Sequence, residues 1–153
     1  MHRPTIAIYQ HHPVASRDCA QGMIMALQSQ YIIKTFTEQE CTDEFLSGID
    51  MLAFPGGVGD ADKYYEFFLR KTANRVADYV DRGGRYLGIC MGAYWADEYY
   101  FDLLKDVRAI QYIKSPGTDT RRPHPKAMQI NWQGQTTRMY FYDGCTFTGP
   151  GAY

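Results

Sequence analysis

The sequence predicts an α/β fold with a mostly parallel sheet wrapped by helices, and three observations predict it. Short apolar, β-branched runs alternate with stretches whose apolar residues recur at helical spacing. The order through the first ninety-odd residues reads β-α-β-α-β-α-β-α, the pattern of parallel strands joined by helical crossovers. Glycine-rich turns follow the third and fourth strands, at Pro55-Gly56-Gly57-Val58-Gly59 and Gly88-Ile89-Cys90-Met91-Gly92.

Each element has a local reason. Thr5 to Tyr9 (TIAIY) is a short buried-strand run bounded by Pro4, with Gln10-His11-His12-Pro13 at its carboxyl end. From Ser16 to Gln28, residues Cys19, Ala20, Met23, Ile24 and Leu27 fall on one helical face. Tyr31 to Phe36 is a second strand. Thr37-x-x-Glu40 has the form of a capping box, with Phe45-Leu46 beyond it in a short helix. Ile49 to Phe54 is the third strand. Asn74 to Arg82 sets Val76, Ala77 and Val80 on one face and stops at Gly83-Gly84. Strand four then leads to Cys90. Val107 to Ile113, Ala127 to Trp132 and Thr136 to Tyr142 are extra C-terminal strands, with a loop from Ser115 to Pro125 and a hairpin turn at Gln133-Gly134.

Bulk composition narrows the function classes. At 153 residues the chain suits one domain over 1–153. A formal net charge of -1, with no basic run longer than two residues, argues against nucleic acid or a membrane surface as partner. There is neither a signal-peptide pattern nor an apolar stretch near the ~18 residues that span a bilayer. The cysteines, Cys19, Cys41, Cys90 and Cys145, form no C-x-x-C pair and have no close histidine. No metal site or other cofactor is therefore expected, and a reducing, cytoplasmic setting fits. The thirteen tyrosines suit a pocket, a core boundary, or the interface of a homodimer.

The stretch Arg82–Ala96 carries the chemistry. Gly88-x-Cys90-x-Gly92 between a strand and a helix is the thiol form of the sharp turn that exposes a nucleophile. The following helix start is expected to lower the Cys90 pKa. Ligands of open α/β sheets bind beyond the carboxyl ends of the strands, where His11-His12, Gly56-Gly57 and Cys90 all fall. Backbone N–H groups there could form an oxyanion hole for acyl transfer.

These motifs, Phe54-Pro55-Gly56-Gly57 with Asp60, Asp62, Tyr64 and Tyr65 downstream and Leu87 to Ala96, resemble the class I glutamine amidotransferase-like (DJ-1/PfpI) superfamily. More narrowly, Gly88-Ile89-Cys90-Met91-Gly92-Ala93-Tyr94, Pro116-Gly117-Thr118 and the Tyr140 to Gly144 run resemble the amidotransferase-like domain at the N-terminus of biotin-protein ligases. The resemblance implies a three-layer flavodoxin-like sandwich. It makes Cys90 the nucleophile of a hydrolase acting on an amide of a small molecule or peptide. Gly57 and Met91 become oxyanion donors, and Gly56, Asp60, Tyr64 and Tyr94 substrate-binding positions.

One departure matters. The superfamily takes its base from a late His-x-Glu, and this chain shows none before Tyr153. His11, His12 and His124 are the candidate bases, and a partner chain completing the site is a further route. Without a base, the same fold is a non-catalytic binding module. Asp60 and Asp62 also read as helix caps, Arg121-Arg122 as a solvated loop, Cys19 and Cys41 as packing residues, and Cys145 as part of a C-terminal loop without a role. A redox or glyoxalase-like protein of the DJ-1 type needs an acidic residue beside the thiol, where strand one ends in Tyr9-Gln10. No trace of a biotin-ligase catalytic domain is present, so biotinylation by this chain is rejected.

Overall fold

The computed structural model describes residues 3–57 and 70–152. Strands β1 (Thr5–Tyr9), β2 (Ile32–Phe36), β3 (Met51–Phe54) and β4 (Arg85–Gly88) form one sheet in the order β2-β1-β3-β4, with every neighbouring pair parallel. Helix α1 (Arg17–Leu27) joins β1 to β2, and α2 (Asp43–Ser47) joins β2 to β3. Helix α3 (Arg70–Asp81) precedes β4, and α4 (Met91–Tyr94) follows it after a two-residue elbow, Ile89-Cys90.

The sheet is covered on both faces, which is why its central strands lack polar alternation. Ile6, Ile8 and Ala53 pack on Ala20 and Met23 of α1. Ala7, Tyr9, Leu52 and Phe54 face the other way, into a cluster with Phe36, Val76, Met91, Trp95 and Phe101. Phe54 is the hub of that cluster. Its ring lies 5.4 Å from Tyr9, 5.2 Å from Tyr86, 5.1 Å from Phe101 and 5.9 Å from Trp95. Edge-to-face and tilted pairs of this kind add to the area they bury.

Beyond α4 the chain is tied back by one buried carboxylate. Asp97 is 3% exposed and accepts hydrogen bonds from Arg108 Nε at 3.0 Å and the Ala109 N–H at 2.8 Å. Burial alone would raise its pKa, but Arg108 and the Ala109 N–H hold it below the usual carboxylate range. That anchor starts β5 (Arg108–Gln111), which pairs antiparallel with β8 (Cys145–Thr148), Gln111 opposite Cys145. Strands β6 (Lys126–Trp132) and β7 (Gln135–Phe141) form a hairpin. Its turn has positive φ at both Gln133 (50°) and Gly134 (78°), as a two-residue hairpin turn of matching twist requires.

Several expectations are corrected. Glu40 accepts from the N–H and hydroxyl of Thr37, but this box closes a turn; the helix begins later, where the Thr42 hydroxyl accepts from the Phe45 N–H. The extended stretch from Val107 is shorter than expected, ending at Gln111, and Tyr112–Lys114 turns into a 3-10 helix. Cys145 opens strand β8 and is not in a loop. Among the described residues, no helix is long and apolar enough to cross a membrane.

Two glycines separate structural need from tolerance. A Cβ on Gly92 would overlap the carbonyl oxygen of Phe54, whereas one on Gly22, on the exposed side of α1, would meet nothing within 4 Å. Gly92→Ala is expected to destabilise the fold by about 1–3 kcal/mol, as overpacking does. Gly22→Ala should stabilise it by about 0.5–1 kcal/mol through helix propensity. Urea denaturation of the two variants checks the pair; a tolerated Gly92→Ala would contradict the packing described.

Candidate active site

Cys90 sits where β4 turns into α4, with φ 50° and ψ -106°, a conformation that non-glycine residues rarely adopt. Surrounding contacts hold it there. The Ile89 N–H donates to Phe54 O at 3.0 Å, and the Gly92 N–H to Pro55 O at 3.2 Å, so the elbow is laced to the end of β3. A Cβ on Gly88 would lie 2.5 Å from Gly92 O, and Gly92 itself abuts Phe54. Both glycines of the Gly88-x-Cys90-x-Gly92 frame are therefore steric requirements. The Tyr86 hydroxyl closes the turn by donating to Gly92 O at 2.6 Å.

The segment after β3 forms the second wall. Ala15 bridges Gly57 in antiparallel fashion, and the Ser16 N–H donates to Gly56 O at 2.8 Å. The Gly56 N–H in turn donates to Cys19 Sγ at 3.1 Å. A Cβ on Gly56 would be 3.4 Å from Cys90 Cβ and 3.6 Å from Cys19 Sγ, so this glycine lies against both cysteines. Cys19 is thus more than a packing residue of α1. The backbone groups of Gly57 and Met91 lie close enough to the Cys90 sulfur to favour its thiolate.

The third wall comes from the loop between β7 and β8. Cys90 Sγ donates to Asp143 O at 3.5 Å, and the Tyr94 hydroxyl donates to Gly144 O at 3.1 Å. Gln111 Nε2 donates to Asp143 Oδ2 at 3.0 Å, while Asp143 Oδ1 is buried without a hydrogen-bond partner. Cys145 follows two positions on from Asp143, and burial pushes its thiol up to about 11. Burial followed by the Asp143 charge raises the Tyr94 hydroxyl as well.

The thiol does not follow the expected direction. Burial raises the Cys90 pKa, the Met91 and Gly57 backbone groups pull it down, and the charges at Asp143 and Cys19 push it up again. The net result is a raised pKa, because α4 is one turn long and the thiol lies under the β7–β8 loop.

Among the described residues, no histidine hydrogen-bonds to Cys90. His11 Nδ1 is 2.7 Å from Glu38 Oε2, an oxygen that also accepts from the Tyr9 hydroxyl at 3.1 Å. Glu38 Oε1 is buried without a partner. His12 is exposed and lines a 430 Å³ cavity with Ser16, Arg17 and Gln21. His124 is exposed, its ring Nδ1 3.0 Å from Arg122 O, although its backbone N–H reaches Tyr142 O, beside Asp143. Asp60, Asp62, Tyr64 and Tyr65 lie outside the described residues. A larger cavity of 770 Å³, lined by Pro4, Asp50, Tyr79 and Arg85, opens at the amino ends of the strands, the wrong end for this chemistry. Among the described residues, no group of three or more His, Cys, Asp or Glu could hold a metal ion.

Asp143 and Gln111 escaped sequence reasoning. The Tyr140 to Gly144 run stood out as a motif, but nothing in its spacing relates an aspartate to a cysteine 53 residues earlier. The β5–β8 pairing and the Tyr94–Gly144 hydrogen bond bring that loop to the elbow.

A flavodoxin-like α/β domain carrying a strained cysteine at the carboxyl end of its parallel sheet is the class that fold and site define. The family model described as biotin-protein ligase, N terminal, matches residues 6–106, about two thirds of the chain, so the chain belongs to that family. The match covers the four parallel strands and the Cys90 elbow. No curated protein matches the chain.

The raised thiol has a direct consequence. Alkylation of Cys90 by iodoacetamide, followed by peptide mass spectrometry across pH, should show a midpoint above the ~8.5 of a free thiol. In Asp143→Asn the midpoint should fall, since a charge that disfavours the thiolate is gone. A midpoint below the free-thiol value in the unaltered chain would contradict the electrostatics described.

Proposed function

We propose that the chain is a cysteine-dependent, amidotransferase-like hydrolase that cleaves an amide of a small molecule or peptide, with Cys90 as nucleophile. The observation that carries this reading is the strained backbone of Cys90 at the carboxyl end of the sheet, with the backbone groups of Gly57 and Met91 close enough to favour its thiolate. Strain of this kind costs of order 1–3 kcal/mol and persists where surrounding structure enforces it, commonly at active sites.

Attack by sulfur on the amide carbon forms a C–S bond and moves the carbonyl π electrons onto oxygen. The Gly57 and Met91 N–H groups are the donors for that oxyanion. Collapse breaks the C–N bond, and the thiol's proton leaves with the departing amine. Water then cleaves the thioester to give the acid and return the thiol. Gly56 keeps the backbone close against Cys90 and Cys19, and Tyr94 ties the elbow helix to the β7–β8 loop through Gly144. The resting thiol is protonated, so the substrate must promote its ionisation or a proton acceptor must join the site.

The second reading is a binding module built on the same elbow. Its supporting observation is the thiol's raised pKa beside Asp143, with no described histidine partner. One experiment separates the readings. A panel of peptide and small-molecule amides is screened for hydrolysis with the unaltered chain and with Cys90→Ala. Acyl transfer predicts turnover that falls about a thousandfold or more in Cys90→Ala. Turnover equal in both proteins, or none with ligand affinity retained in Cys90→Ala, would leave the binding module.

A further inference from the structure

We infer that Asp143 is the specificity residue of the Cys90 site, and that the substrate carries a protonated amine or similar N–H-bearing cation beside its scissile amide. The inference rests on the acyl-transfer reading and names its substrate class.

The polarity of the walls carries the argument. On the elbow side the site presents donors, the backbone N–H groups at Gly57 and Met91, which suit a carbonyl oxygen. On the β7–β8 side it presents acceptors. Asp143 O takes the thiol proton at 3.5 Å, and Asp143 Oδ1 is buried with no partner. The other carboxylate oxygen is fixed by Gln111, whose Nε2 lies 3.0 Å away, so the side chain is oriented. Neither lysine nor arginine is among the described hydrogen-bond or ion-pair partners of Asp143. A buried carboxylate oxygen left unpaired is costly, and a cationic N–H donor is the partner that compensates it best. Cys90 and Asp143 are only partly buried and Ile89 beside the thiol is exposed, so the rim of the site is open; Oδ1 itself is enclosed, and the ligand's N–H enters beneath the β7–β8 loop to meet it.

Placement of that cation has a second effect. The Asp143 charge is one of the influences that keep Cys90 protonated. A substrate cation on Oδ1 neutralises it at the moment the carbonyl reaches the oxyanion donors. The correct substrate thereby promotes its own attack, and amides without the cation meet a resting thiol.

The test uses two thiol reagents of nearly equal shape on the full chain. Aminoethyl methanethiosulfonate carries an ammonium group, and propyl methanethiosulfonate carries none. Each forms a disulfide with the attacking Cys90 thiolate and expels methanesulfinate, and modification is read on the Cys90 peptide. The proposal expects Cys90 to prefer the cationic reagent by about tenfold, the scale of one charged hydrogen bond. Asp143→Asn should erase the preference. Asp102→Asn, the same charge change at an exposed residue paired with Lys105, should keep it. Should Asp143→Asn fail to fold, methylammonium at matched ionic strength decides the matter in the unaltered chain, by slowing the cationic reagent and not the neutral one.

Equal rates for both reagents, or a preference that survives in folded Asp143→Asn, would overturn the proposal and leave Oδ1 to water. A cation preference in a chain that cleaves no amide sinks acyl transfer and keeps the cation site. Amide cleavage without the preference does the reverse.

Discussion

The structure depends on the close approach of two backbones, the end of β3 and the start of α4. Gly92 lies against the carbonyl of Phe54, Gly88 against Gly92, and hydrogen bonds from Ile89 and Gly92 cross to Phe54 and Pro55. Side chains larger than hydrogen would push these segments apart. At that spacing the chain turns from strand to helix within two residues, Ile89 and Cys90, with Cys90 held at φ 50°. The same contact seats the Phe54 ring among Tyr9, Tyr86, Trp95 and Phe101. Core and site are therefore one construction, with aromatic packing below the sheet ends and a strained thiol above them.

Position and reactivity come from different parts of the chain. The parallel sheet and its turns set where the sulfur sits. Its charge state answers to Asp143 and to burial by the loop before β8, contributed by a C-terminal segment outside residues 6–106. That division explains how a strained elbow at the end of the sheet can carry a thiol whose pKa is raised. The C-terminal strands that carry this loop anchor on the main domain through Asp97 and Arg108.

Much of this was legible in the sequence, for local reasons. β1 and β3 are buried on both faces and so read as continuous apolar runs, and the helical face of α1 is carried by residues within one short window. The elbow announced itself because two glycines flank a cysteine at fixed spacing. Hidden features were those that depend on distant pairing. Strand β8 is a four-residue run, and its partner β5 lies more than thirty residues earlier. Asp143 reaches the site through that pairing and the bond from Tyr94 to Gly144. The Thr37–Glu40 box misled because its side-chain hydrogen bonds also close a turn, leaving Thr42 to cap the helix. The thiol's ionisation was misjudged for a similar reason: a helix start is visible in sequence, whereas burial by a remote loop is not.

The central claim is that Cys90 accepts an acyl group. It is tested most directly by mixing the chain with glycine p-nitrophenyl ester, whose amine is protonated, and quenching for peptide mass spectrometry. The account predicts one glycyl group on the Cys90 peptide, labile to hydroxylamine and absent in Cys90→Ala. Acylation spread evenly over Cys19, Cys90 and Cys145, or none at Cys90, would contradict it.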